Sequence, residues 1–381
     1  MTTMVPTRPS GAGSLADVLP SCAAAILGPG AGFDDTLGLG AARSVVLLLV
    51  DGLGSAALSA RSAYARTLAA KRTSLFSGFP TTTASALATV TTGALPGEHG
   101  LVGYSVLDPE GDRVVKQLSE WTGAVDPATW QRRPTVFESV RASGADVALS
   151  VVGPARYAAS GLTKAILRGA DYRSADSVSA RFDETRRLLA APGRSLTYLY
   201  VPELDMAGHR YGWESDRWSA ALESLDAEIR RLEQDLAADQ ALVVTADHGV
   251  LDVPNHRHIV YGDEADLMNG VRHVAGEPRC LQLHVDPTAS AEQRADLLAA
   301  WRESEDSRSW VVSRDEAVEA GWFGEVAPDV LPRIGDVLVA ARKGIAYYRG
   351  ENDRGRGMIG QHGSWSSEET QVPLIRFGAF A

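Results

Sequence analysis

The chain has 381 residues, of which 45% are hydrophobic and 22% charged, with a formal net charge of −11. That length buries a large core, as one big domain or a core with an inserted subdomain, and the composition is that of an ordinary soluble globular protein. The negative balance excludes a nucleic-acid backbone or an anionic membrane as the main partner, so an anionic substrate would need local positive charge, such as a bound metal.

Residues 1–39 are rich in Pro, Gly, Ser and Ala and lack a basic start followed by an apolar run. They read as a leader segment rather than a signal peptide, and no stretch is long and apolar enough to span a bilayer. The two cysteines, Cys22 and Cys280, form no CxxC pair and read as reduced thiols. A cytoplasmic protein without membrane partners is the expectation. Ser44 to Val50, an unbroken apolar run after its first residue, reads as a strand buried on both faces, as in parallel sheets. It ends at Asp51-Gly52-Leu53-Gly54, where an acid serves equally as a turn residue or as part of a site at a strand's carboxyl end.

Next comes Phe79-Pro80-Thr81-Thr82-Thr83, followed by small residues that begin a helix whose free N–H groups favour an anion. Taken alone, this is also a common threonine cap. Pro96 to Gly100 is a turn with one histidine, 134–142 reads as a helix, and 145–152 and 196–201 read as strands. The second of these strands runs into Asp205-Met206-Ala207-Gly208-His209. Trp218, Leu222, Leu225, Ile229, Leu232 and Leu236 recur at steps of three and four, which predicts a long helix packed on the sheet. Residues 241–245 form another strand, closed by Asp247-His248-Gly249.

Such alternation predicts a three-layer α/β/α sandwich around a mostly parallel sheet. The catalytic core would span 40–254 plus 349–381. From 255 to 348 shorter strands (280–285, 310–312, 336–340) surround a helix at 291–301, predicting an inserted smaller α+β subdomain. His256 and His258 in that stretch read as surface residues. His362 sits in a Gly-Gln-His-Gly turn before a terminal strand at 372–377.

Asp51, Thr83, Asp205, His209, Asp247, His248 and His362 all lie in or beside turns, most directly after a buried strand. Parallel strands share one edge, so the seven can converge there. Acids and imidazoles gathered without a counter-charge would repel or stay unsatisfied, and two divalent cations would resolve that. Mixed Asp/His donors suit zinc, with manganese or iron also compatible.

With these residues in place, the sequence resembles the alkaline phosphatase superfamily, and within it the nucleotide pyrophosphatase/phosphodiesterase branch. The likeness runs from Arg43 to Phe377 and is strongest at the motifs. It implies that Asp51, Asp247, His248 and Thr83 bind one metal and that Asp205, His209 and His362 bind the other. Thr83, chosen over Thr81 and Thr82 by the family spacing from Phe79-Pro80, would be the nucleophile. The implied reaction is hydrolysis of a small phosphate ester or nucleotide, at a phosphodiester or pyrophosphate bond, through a phospho-threonine intermediate.

The family's diesterases carry an Asn shortly after the His-Gly that matches His99-Gly100. Here Leu101-Val102-Gly103-Tyr104 has none, and the Tyr104 hydroxyl or a backbone N–H is expected to contact the substrate instead. Tyr104, the Glu110–Trp130 stretch and the inserted subdomain are expected to wall the pocket. Alternatives on the same site are a phosphomonoesterase and a phosphonate hydrolase; a nucleotide-binding protein without turnover is a different class. Cys-x-Pro-x-Arg, expected for a sulfatase, does not occur.

Overall fold

The computed structural model describes residues 4–70, 72–121, 123 and 125–381. Positions 1–3 of the expected leader lie outside the described residues, as do 122 and 124 of the 110–130 stretch expected to wall the pocket.

Ser44–Val50 is buried at every position and forms the middle of a seven-stranded sheet. It pairs in parallel with Arg194–Val201 on one side and Gln240–Thr245 on the other. Val147–Gly153 and Asp171–Ser174 extend the first side, also in parallel. On the other side the terminal strand Gln371–Gly378 runs antiparallel to both neighbours, Gln240–Thr245 and Arg72–Phe76. The predicted sheet is therefore present, mostly parallel, with one reversed strand.

Helices cover both faces. Val18–Leu27, Thr83–Thr92 and Val136–Ala142 pack together, as do Val178–Ala190 and Asp216–Asp235. The long helix buries Trp218, Leu222, Leu225, Ile229 and Leu232, the stripe its spacing predicts. Residues 1–39 are more than a leader. Val18–Leu27 lies against the central strands with Val18, Leu19 and Cys22 wholly buried. Ser14 and Asp17 form a reciprocal cap on the short helical turn just before it.

A second, antiparallel sheet has the order Ser309–Ser313, Val337–Ala341, Cys280–Val285, Val271–Glu277, Ser105–Asp108, Arg113–Lys116. Ala291–Glu305 packs beside it and buries Trp301. Four of these strands come from 255–348, while the hairpin formed by Ser105–Asp108 and Arg113–Lys116 is lent by the core segment. The smaller sheet is thus threaded into the larger unit at two places. Among the described residues no helix is long and apolar enough to cross a membrane.

Candidate active site

Register explains why distant residues meet. Val50 pairs with Val201, and Leu49 with Thr245, so three neighbouring strands end level. Asp51 follows the first strand and Asp247-His248 the third. The second leads into the helix Glu203–Tyr211, which places Asp205 and His209 one turn apart on the same face. Gly52 adopts φ +75°, and a Cβ there would come within 2.9 Å of the Asp205 Cβ. Glycine is what lets the Asp51 and Asp205 segments approach so closely. Gly249 does the same for the third loop, since a Cβ there would lie 1.9 Å from the Glu368 carbonyl.

The six predicted Asp and His ligands converge with Thr83, predicted as both ligand and nucleophile. His248 Nε2 lies 3.3 Å from Asp247 Oδ2, 3.6 Å from Asp51 Oδ1 and 3.2 Å from Thr83 Oγ1. His209 Nε2 lies 3.3 Å from Asp205 Oδ2 and 3.4 Å from His362 Nε2. The His248 and His362 rings stack with centroids 3.7 Å apart, joining the two groups into one cluster.

Each imidazole has one nitrogen on a backbone carbonyl. Nδ1 of His209 donates to Gly360 O at 2.8 Å, that of His362 to Thr81 O at 2.7 Å, and that of His248 to Gly249 O at 3.2 Å. These contacts fix the tautomer and leave every Nε2 bare toward the cluster, the usual arrangement around a metal. Asp51 Oδ1, Asp205 Oδ1 and Asp247 Oδ2 are buried with no hydrogen-bond partner among the described residues.

Burial, then the charges of Asp247 and Asp205, push the Asp51 carboxyl well above the ordinary carboxylate range. Burial also raises Asp205, against the pull of His209 and His248. His362 is held well below the usual imidazole value by burial, then by His248 and His209. A divalent charge would favour the ionised acids and the neutral imidazoles together. Donor atoms of Asp51, Asp247 and His248 lie within 4.8 Å of one another, as do those of Asp205, His248 and His362. The residues fit two cations.

The three threonines separate cleanly. Thr81 Oγ1 donates to Ser364 O at 2.8 Å and accepts from Gly363 N at 2.9 Å, bracing the His362 turn. Thr82 hydrogen-bonds the buried Glu277 carboxylate. Thr83 opens the helix Thr83–Thr92, and its hydroxyl faces His248.

In front of Thr83 is a cavity of about 150 Å³, partly open to solvent. Asp51 and Asp205 line it, with Leu87, Leu118, Val151, Ile166 and a group of tyrosines. The expected wall is corrected here. Of the described residues in 110–130 only Leu118 contributes, none of 255–348 does, and the segment from Val151 to Tyr172 supplies the largest share of the wall. Tyr104 is half-buried and is not among the lining side chains; its backbone N–H instead reaches Glu277. His99 is structural: it is fully buried, with Nδ1 accepting from Leu101 N and Nε2 against Thr89 Oγ1. His256 is exposed, while His258 is half-buried, with Nε2 on Val253 O.

Sequence reasoning missed Tyr198 and Tyr200, which line the cavity, and Arg279 and Glu369, which hold its loops. Two phenols one residue apart in a strand buried on both faces were a readable signal. Arg279 and Glu369 had no local signal.

The family model described as "Type I phosphodiesterase / nucleotide pyrophosphatase" matches residues 45–365. A search of curated protein sequences finds no match. Among solved structures the chain is similar to murine ectonucleotide pyrophosphatase/phosphodiesterase 5, in an inactive threonine-to-alanine form in complex with AMP. Identity is 17%, coverage 88% of each chain, and TM-score 0.68. The human counterpart gives 15% identity, 88% and 87% coverage and a TM-score of 0.66. Phosphonoacetate hydrolase from Sinorhizobium meliloti 1021, in complex with phosphonoacetate, gives 20% identity, 88% and 90% coverage and a TM-score of 0.66. At these identities the solved structures speak for the fold.

Proposed function

This chain belongs to the type I phosphodiesterase/nucleotide pyrophosphatase family, and we propose that it cleaves a phosphodiester or pyrophosphate bond of a small substrate by attack of Thr83. Three buried carboxylate oxygens without a partner among the described residues, gathered beside a threonine hydroxyl that faces His248, carry this reading. Asp51, Asp247, His248 and Thr83 would hold one divalent cation, and Asp205, His209 and His362 the other. Zinc fits this donor set, as would manganese or iron, and the pair would acidify the threonine hydroxyl and offset charge on the phosphoryl oxygens. Thr83 Oγ forms a bond to phosphorus while the bond to the leaving oxygen breaks; water then hydrolyses the phospho-threonine and frees the hydroxyl. The helix that begins at Thr83 would offer its free first N–H groups to the same phosphoryl group.

The cavity favours a diester over a monoester. Its walls are largely aliphatic and aromatic, and among the described residues no Lys or Arg lines it to meet a dianion. An aromatic ester group suits such walls, and the AMP bound to a solved relative supports a nucleotide-class substrate. Chelation is expected to abolish hydrolysis of bis-p-nitrophenyl phosphate, with zinc or manganese restoring it; indifference to chelators would refute the metal pair. Rates on that diester should exceed those on p-nitrophenyl phosphate and on a phosphonate monoester. A faster monoester or phosphonate would reassign the substrate class.

A further inference from the structure

Tyr198 and Tyr200 are two apart on the strand Arg194–Val201, so both side chains leave the same face of the sheet. Both line the cavity with Thr83, Asp51 and Asp205. The other hydroxyls there with assigned partners are committed to the protein itself. Tyr200 donates to Asp51 Oδ2, Tyr172 to Pro154 O at 2.9 Å, and Ser160 to Thr163 at 3.1 Å. Tyr198 differs. Its side chain is 1% exposed, yet its hydroxyl has no hydrogen-bond partner among the described residues.

A phenol buried without a partner weakens the fold, and phenylalanine would fill the same space at no such cost. The hydroxyl therefore calls for a partner from the cavity. Thr83 and Asp51 line the same cavity, and both take part in the reaction proposed above. In that reaction the phosphoryl oxygens carry the charge to be stabilised, and among the described residues no cationic side chain lines the cavity to assist the metal pair. Burial, followed by the nearby charges of Asp247 and Asp51, pushes the phenol well above its ordinary value. It is thus a donor under all working conditions.

We propose that the Tyr198 hydroxyl donates a hydrogen bond to a phosphoryl oxygen of the bound substrate, making Tyr198 a catalytic residue of this site. The assignment rests on the Thr83 reading. A donor set in place before the reaction, in a site that excludes water, strengthens as charge builds on the oxygen it meets.

Tyr198→Phe removes the oxygen alone. In the metal-loaded enzyme kcat should fall on the order of 10²-fold, by a similar factor for aryl diesters with good and poor leaving groups. The inhibition constant for vanadate, which mimics the five-coordinate phosphorus without a leaving group, should rise. The melting temperature and metal content should match the parent, or the melting temperature should increase. Unchanged kcat and vanadate inhibition would overturn the proposal. So would a loss confined to one leaving group, or a lower melting temperature, which would make the hydroxyl structural. A Thr83→Ala control separates the two ideas: if it is dead while Tyr198→Phe is fully active, the nucleophile stands and only the tyrosine role falls.

Discussion

Replacing Thr83 with alanine is expected to lower turnover of an aryl phosphodiester by about 10⁴-fold or more, with fold and metal content preserved. The size of the loss follows from the commitments of its neighbours. Thr81 has both hydroxyl roles filled by the peptide of the His362 turn, and Thr82 is held by Glu277. Neither can reach phosphorus without dismantling a contact that shapes the site. Thr83→Ser keeps the oxygen and should retain a large part of the rate, while Thr81→Ala should act through the looser His362 turn and respond to added metal. The melting temperature of Thr83→Ala should equal that of the parent, because the methyl and hydroxyl leave no large void, and its metal content should hold because Asp51, Asp247 and His248 remain as donors. A Thr83→Ala enzyme that turns over at the parental rate would remove the covalent route.

The site was legible because its residues obey a positional rule rather than a local one. Strands buried on both faces read as apolar runs, and the acid or Asp-His pair that interrupts each run marks where the sheet ends. Ser44 to Val50 and 240–245 show this plainly, and the level register of their ends turns sequence breaks into neighbours. What stayed hidden follows no such rule. Val18–Leu27 is apolar on nearly every side, so it has no stripe to count, and only the Ser14/Asp17 cap announced it. Arg72–Phe76 is an edge strand whose first three residues are exposed, and its pairing comes from the far end of the chain. The cavity wall from Val151 to Tyr172 mixes a strand end, a short helical turn and a helix, and no single periodicity describes it. The hairpin that completes the smaller sheet meets its neighbour through one pairing, Ser105 with Gly276, which no local pattern could announce.

Breaking the Arg279–Glu369 pair should produce the largest loss of stability, about 3–5 kcal/mol for Glu369→Ala. The two side chains are wholly buried and meet through two parallel bonds of 2.8 Å. Arg279 also donates to the carbonyls of Ala341, Lys343 and Ile345, which ties it to the smaller sheet. Glu369 accepts from Ser364 N at 2.9 Å, and its own carbonyl accepts from Gly249 N at 2.9 Å. One carboxylate residue therefore holds the turn after His362 and the turn after His248 against a guanidinium from the other sheet. Removing the carboxylate leaves a buried cation with no counter-charge and frees the turn after His362, while the main-chain carbonyl of residue 369 still accepts from Gly249 N. The expected result is a lower unfolding free energy together with weaker metal binding, since His362 Nε2 loses its fixed position beside His248. Arg279→Met combined with Glu369→Leu should recover much of the stability, because the desolvation of both charges disappears with them. That double variant should still bind metal weakly, because no acceptor remains for Ser364 N. Parental stability and metal affinity in Glu369→Ala would show that the pair does not couple the sheets to the site.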